Sequence, residues 1–321
     1  MVEDSHSDKD VQFQQYSNVL DELGYFPLSS KADEILYDAA KKSLEQFGES
    51  ASKALLDHIC SINGLSEKEL LTNYDLFEKS LYRVLRTGSA VILHDIKREL
   101  LVRAVLIDPN ITISDIRNPR LAVGDILKRI RVVETLEFVR KIPSHKHIAF
   151  LYRNENSKAD ILAAFFDTKI TGKATKGLLS SNKTTNDDLS YMSYEELLQE
   201  PREYEVVAKR LADWIAKLNS SNKSQQQQQQ NNTDIATLRI ATEDAMWWVR
   251  NGFTGYYMGF EKSMGKYLQD SVSVLCGYNI SNVSNENIDS KNIKTMIAAH
   301  DHVILDESFV MFRAANVGDK I

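Results

Sequence analysis

The side chains of this chain best equipped for chemistry lie in Leu238-Arg-Ile-Ala-Thr-Glu-Asp-Ala-Met-Trp-Trp248. A short β-prone run ends there in two acids, Glu243 and Asp244, followed by two of the three tryptophans, Trp247 and Trp248. Ligands of open α/β sheets sit at the carboxyl ends of the strands. Acids and indoles at such an end offer polar specificity beside an apolar wall. Glu243 is the acid most in need of a functional explanation, because packing seldom requires a carboxylate at a strand end. A salt bridge would be the structural alternative. If the strand continued, Trp247 and Trp248 would face opposite ways, one into the core and one onto a pocket.

Other reactive side chains are scattered. His147 opens an apolar run that closes at Tyr152, and its plainest role is a buried hydrogen bond. Tyr278 ends a run containing Cys276, which reads as a small buried apolar residue. His300 and His302 flank Asp301 and have the types of a metal cluster. The sequence supplies no third ligand beside them, so the expectation is no metal and no cofactor. His58 falls on a helical stripe and is expected in the core. No nucleophile-base-orienter set is legible, which argues against catalysis. The expected ligand-binding set is therefore His147, Tyr152, Glu243, Asp244, Trp247, Tyr278 and His300.

These side chains need elements to position them. With 321 residues the chain can bury substantial cores, and two domains are expected. The net charge of -6 argues against direct nucleic-acid binding, which depends on a basic face. Two cysteines far apart, Cys60 and Cys276, give no disulfide framework and fit a reducing compartment. The polar N-terminus and the absence of a long apolar run predict a cytoplasmic protein without membrane contact.

Residues 1–29 read as a polar N-terminal segment. A helical domain is expected over 30–110. Its first stripe is Ile35, Leu36, Ala39, Ala40, Leu44 and Phe47, stopped by Gly48; its second is Ala51, Leu55, Ile59 and Ile62. Ser66-Glu-Lys-Glu69 has capping-box form. Leu76 to Leu85 and Ile92 to Ala104 continue the pattern. Residues 111–142 form a helical connector with Val123, Ile126, Ile130, Val133 and Leu136 at helical spacing, better explained by packing on its own domain than by a coiled coil. Its basic residues fit a solvated face.

From 143 to 321 strands and helices alternate, predicting a mainly parallel sheet covered by helices. Strands are expected at His147–Tyr152, Gly177–Ser180, Thr237–Ala241, Ser271–Cys276 and His302–Leu305. A Gln/Asn-rich stretch at 219–233 reads as a surface insertion.

The order of these motifs resembles the MEDS domain, a sensory domain of methanogens and methylotrophs also found in the repressor of dichloromethane dehalogenase. The matching residues are His147 and Tyr152, Arg239 with Glu243 and Trp247, Cys276 with Tyr278, and His300 or His302, over about residues 140–315. Thr242 stands where a small residue such as Gly is expected. The resemblance implies a RecA-like α/β fold without nucleotide machinery and a role in sensing a small molecule. Gly172-Lys-Ala-Thr-Lys-Gly177-Leu178-Leu179 agrees, since Leu178 and Leu179 replace the Lys and Ser/Thr of a phosphate loop. Residues near Asp57 to Val105 are similar to an output-domain family of ammonia-oxidising archaea, through Ile62–Glu69, Phe77–Leu81, Gly88–Leu93 and Lys97–Leu100.

The expectation is thus a cytoplasmic signal-transduction protein, α/β and RecA-like with a small all-α helical domain before it. It would sense a small molecule and address a downstream signalling or transcription partner, with room for a homodimer. A non-catalytic interaction module and an acid-base or metal-assisted enzyme are the alternatives.

Overall fold

A computed structural model describes residues 16–112, 122–167, 174–181, 189–226, 238–267, 272–281, 291–306 and 308–315. The chain divides into two compact units, Ser29–Thr135 and Met1–Leu28 with Leu136–Ile321.

The first unit is built from α1 (Lys31–Glu45), α2 (Glu49–Asn63), α3 (Glu67–Thr72), α4 (Tyr74–Leu85), α5 (Ser89–Ala104) and the start of α6 (Val123–Arg140). Ser66 and Glu69 form the expected capping box, with Glu69 Oε2 accepting the Ser66 amide at 2.8 Å. The core gathers Leu36, Leu44, Ile59, Leu70, Phe77, Leu81, Ile92, Ile96 and Leu100, each contributing about 1.5–3 kcal/mol by burial. The face of α2 differs from the expected one. Ser52, Leu56 and Ile59 point inward, while Ala51, Ile62 and His58 are exposed. Ser52 selects that rotation, because its hydroxyl donates to Leu44 O at 2.5 Å and closes the α1–α2 corner. Phe47 lies beyond the end of α1 and is half exposed. In α6, Val123, Ile126, Leu127 and Ile130 join this core, so the stripe packs on its own unit. Arg129 and Arg131 pair with Asp108 and Asp33.

The second unit contains an eight-stranded sheet in the order β1-β8-β7-β2-β6-β5-β3-β4. Its strands are β1 (Tyr25–Pro27), β2 (His147–Tyr152), β3 (Thr175–Ser180), β4 (Ser190–Ser193), β5 (Leu238–Thr242), β6 (Val272–Asn279), β7 (His302–Leu305) and β8 (Val310–Ala314). The run from β7 through β2, β6, β5 and β3 to β4 is parallel; β8 and β1 add antiparallel to one edge. Helices α7 (Glu155–Phe165), α8 (Tyr194–Leu197), α9 (Tyr204–Gln226), α10 (Met246–Arg250), α11 (Thr254–Tyr267) and α12 (Lys291–Ala298) connect the strands. Every residue of β2, β5 and β7 is buried. Since successive side chains alternate faces, both sides of the sheet are covered.

Besides β8, three further elements were not visible in the sequence pattern. The segment read as polar chain contains β1, which pairs with β8 in the register Tyr25↔Ala314. The second is β4, which extends the far edge. The third is the short helix α10, which carries Trp247 and Trp248 where a continued strand was considered. In the Gln/Asn-rich stretch α9 runs on to Gln226, and residues 227–237 lie outside the described ones. Gly172 and Lys173 also lie outside them. Gly177, Leu178 and Leu179 stand in β3, not in a loop before a helix. A Cβ on Gly177 would meet Leu218 Cδ1 at 2.8 Å and the Trp214 ring at 2.9 Å, so this glycine admits α9 onto the sheet. No helix among the described residues is long and apolar enough to cross a membrane.

Arg239 is the largest charged side chain in the interior, at 0% exposure. Its guanidinium donates to Phe165 O at 2.5 Å and Arg140 O at 2.8 Å, satisfying the carboxyl-terminal carbonyls of α7 and α6. Burial lowers its pKa to about 10. Arg239→Ala orphans these carbonyls and opens a void, and we predict a loss on the order of 3 kcal/mol. Urea unfolding followed by circular dichroism checks this; a loss within 0.5 kcal/mol, roughly the effect of a surface change, would contradict it.

Candidate functional site

Four reactive side chains converge on one face of the sheet. The register places His147 opposite Val274 and Ala149 opposite Cys276, so the first residue of β2 and the middle of β6 project to the same side. The turn before β7 brings His300, and α11 lays Glu261 across the group. All four are buried, and their ligand-type atoms lie within 4.8 Å of one another. His147 Nε2 is 3.3 Å from Cys276 Sγ and 3.4 Å from Glu261 Oε2; His300 Nε2 is 3.8 Å from the same oxygen. This is the one group of three or more His, Cys, Asp or Glu residues so placed among the described residues.

The backbone holds these atoms in position. Asp301 receives the His147 amide on its carboxylate at 2.9 Å and returns its own amide to His147 O at 2.8 Å. Tyr25 of β1 donates to His300 O at 2.5 Å, tying the edge strand to the histidine turn. Each imidazole turns Nδ1 onto a main-chain carbonyl: His147 to Ala299 O at 3.2 Å, His300 to Met296 O at 2.9 Å. A carbonyl only accepts, so both Nδ1 atoms carry the proton and both Nε2 atoms face the centre.

Two tyrosines close the group. Tyr278 donates to Glu261 Oε1 at 3.1 Å and lies 3.2 Å from the Tyr257 hydroxyl. Among the described residues Glu261 Oε2 has no hydrogen-bond partner of ordinary geometry. Burial raises the pKa of Glu261, with His147 opposing, and pushes the Cys276 thiol and both phenols well up.

Beside Cys276, on the β5–β3 side, lies an apolar cavity of about 20 Å³ lined by Leu179, Tyr194, Leu197, Leu211, Thr242, Trp248, Tyr257, Phe260 and Cys276. Cys276 and Tyr257 belong to both the cavity wall and the polar group. Trp248 is thus the indole on the pocket. Trp247 is half-buried and stacks on Tyr194 at 4.7 Å.

Of the residues singled out from sequence, His147, Tyr278 and His300 meet in this group. Tyr152, Glu243 and Asp244 lie at the carboxyl end of the sheet, where they are used internally. Glu243 pairs with Lys158 at 2.8 Å and accepts from Ser180, while Tyr152 donates to Glu243 O at 3.1 Å. Asp244 caps α10 through the Met246 amide and pairs with Arg250. Gly277 lets this end close up, since a Cβ there would stand 2.5 Å from Glu243 O. The amides of Arg153 and Asn154 before α7, an anion-type position, both go to Asp306 Oδ2 at 2.8 and 2.9 Å.

The fold adds what the sequence could not. Glu261 was not anticipated, because nothing marks it within an ordinary crossover helix. The three partners of His300 come from β2, β6 and α11, not from its sequence neighbours. His302 turns to the opposite face, where it packs on Phe138 at 5.2 Å. Burial lowers its pKa to about 4.

The lowered pKa of His302 makes its contribution to stability present above pH 6.5, the ordinary histidine value, and lost as pH falls through about 4. His302→Phe keeps the ring packing and removes the titration. We predict a flatter stability profile between pH 6.5 and 4 than in the unchanged protein, read by urea unfolding at a series of pH values. Parallel profiles would refute the neutral, buried histidine. Comparison with protein-family models, curated proteins and solved structures finds no match to this chain.

Proposed function

We propose that the protein is a sensor in which the sheet-containing unit binds a small uncharged molecule and the helical unit carries the output. The observation behind this reading is the small apolar cavity against Cys276, Thr242 and Trp248. Its wall is almost all carbon, and its volume suits a ligand of a few atoms at most, since one water needs about 10–15 Å³ by the same measure. Such a site selects by size and apolarity, not by charge.

Two features favour binding over catalysis. The Glu243 carboxylate, the acid expected to act, is engaged by Lys158 and Ser180. The amides best placed to receive a phosphate are filled by Asp306. The RecA-like, nucleotide-free reading of the sheet and the all-α reading of the output unit belong to this proposal, as do a downstream signalling partner and a cytoplasmic setting. In this reading α6 is the covalent route of the signal. Arg239 holds its last carbonyls from β5, the strand that carries Thr242 to the cavity on its other face.

Xenon, an apolar monatomic probe, tests the pocket on the full chain. The prediction is a saturable change in Trp248 emission or in the xenon magnetic resonance shift, abolished by Leu211→Phe, which fills the cavity. A ligand at 100 times its Kd would also add about 2.7 kcal/mol of stability. Linear, non-saturating xenon behaviour that Leu211→Phe leaves unchanged would sink the proposal.

A further inference from the structure

The geometry points to a buried transition-metal centre, best suited to Zn²⁺, held by His147 Nε2, His300 Nε2, Cys276 Sγ and a Glu261 carboxylate oxygen. This inference goes beyond the sensor reading and does not depend on it.

The first argument is hydrogen-bond bookkeeping. With both Nδ1 protons committed to Ala299 O and Met296 O, the Nε2 lone pairs turn toward Glu261 Oε2 and Cys276 Sγ, and the Tyr278 hydroxyl stands 3.4 Å from His300 Nε2. Two imidazole nitrogens, a thiol and a carboxyl gathered in a buried space form a donor set that a divalent cation takes up by displacing the thiol and carboxyl protons. The Nδ1–carbonyl bonds are also the contacts that orient and polarise metal-bound imidazoles.

The second argument is size. Tetrahedral Zn²⁺ with bonds of about 2.0–2.3 Å sets its ligand atoms about 3.3–3.6 Å apart. The observed separations are 3.3 Å for His147–Cys276, 3.4 Å for His147–Glu261 and 3.8 Å for His300–Glu261. All six separations lie within 4.8 Å, so the ligand atoms close in on the ion as it binds.

The third argument is charge. A divalent ion with one thiolate and one carboxylate is neutral overall, the form least costly to bury. Two imidazoles and a thiolate favour Zn²⁺ over Mg²⁺ or Ca²⁺, which need oxygen shells. Four protein ligands make the centre closed, as in structural and regulatory zinc sites. The Tyr278 hydroxyl on Glu261 Oε1 then fixes the carboxylate, leaving Oε2 for the metal. Loading exchanges the thiol and carboxyl protons for the ion, with both protons going to solvent.

Co²⁺ alone, titrated anaerobically into the reduced, chelator-treated full chain, is the probe. The expected result is one equivalent bound, with the strong visible bands of tetrahedral Co²⁺ and a near-ultraviolet thiolate charge-transfer band, both removed by Zn²⁺. Cys276→Ser should abolish the charge-transfer band and weaken binding at least about 10-fold; Cys60→Ser should change neither. Glu261→Gln should keep the charge-transfer band while shifting the visible bands. A weak octahedral spectrum in the unchanged protein overturns the proposal, whatever the variants do. So does a charge-transfer band that survives Cys276→Ser. Xenon binding to the metal-free chain remains a separate measurement, so either reading can fail without the other.

Discussion

The second unit depends on one constraint: a histidine pair, a carboxylate and a thiol share a dry space under the sheet. Burying such groups is costly unless each is satisfied, so the surrounding backbone is organised around them. Asp301 locks the start of β2 to the turn before β7, and Tyr25 reaches from β1 to hold the same turn. This explains why residues near the amino end of the chain complete a sheet otherwise built from 147 onward. The edge strand is short, yet its tyrosine spans to the interior.

The two ends of the sheet have different roles. At the carboxyl ends of β2, β3 and β5, Glu243, Lys158, Ser180 and Tyr152 satisfy one another, and Asp306 accepts the two amides just before α7. The group of His147, Glu261, Cys276 and His300 lies instead beneath α11, with His147 at the amino end of β2 and His300 just before β7. The four-residue group therefore stands away from the crevice that an open α/β sheet ordinarily offers. The same strand, β5, meets the cavity with Thr242 on one face and grips the ends of α6 and α7 with Arg239 on the other. Strand β5 thus touches both the cavity wall and the last carbonyls of α6.

Much of the sheet was legible because buried parallel strands are continuous apolar runs. His147–Tyr152 and His302–Leu305 were placed to the residue, and β3, β5 and β6 within a few residues. Strands β1, β4 and β8 escaped because they are short, of 3, 4 and 5 residues, and sit at or next to an edge of the sheet. The face of α2 was misjudged because it has more apolar residues than one face can use, and the Ser52 hydrogen bond to α1 decides the rotation. At the site, residue types identified His147, Tyr278 and His300, but not their company. Glu261 sits among ordinary helix residues, and a cluster drawn from four elements leaves no spacing signature. Glu243 attracted attention for a sound reason, an acid at a strand end; Lys158, distant in sequence, is what satisfies it.

X-ray absorption at the zinc edge of the protein as purified bears most directly on the convergence of His147, Glu261, Cys276 and His300. The account predicts one zinc per chain, with one sulfur at about 2.3 Å and three nitrogen or oxygen neighbours at about 2.0–2.2 Å. A chain without stoichiometric metal that also takes up none on incubation with Zn²⁺, or a bound zinc with no sulfur in its shell, would contradict it.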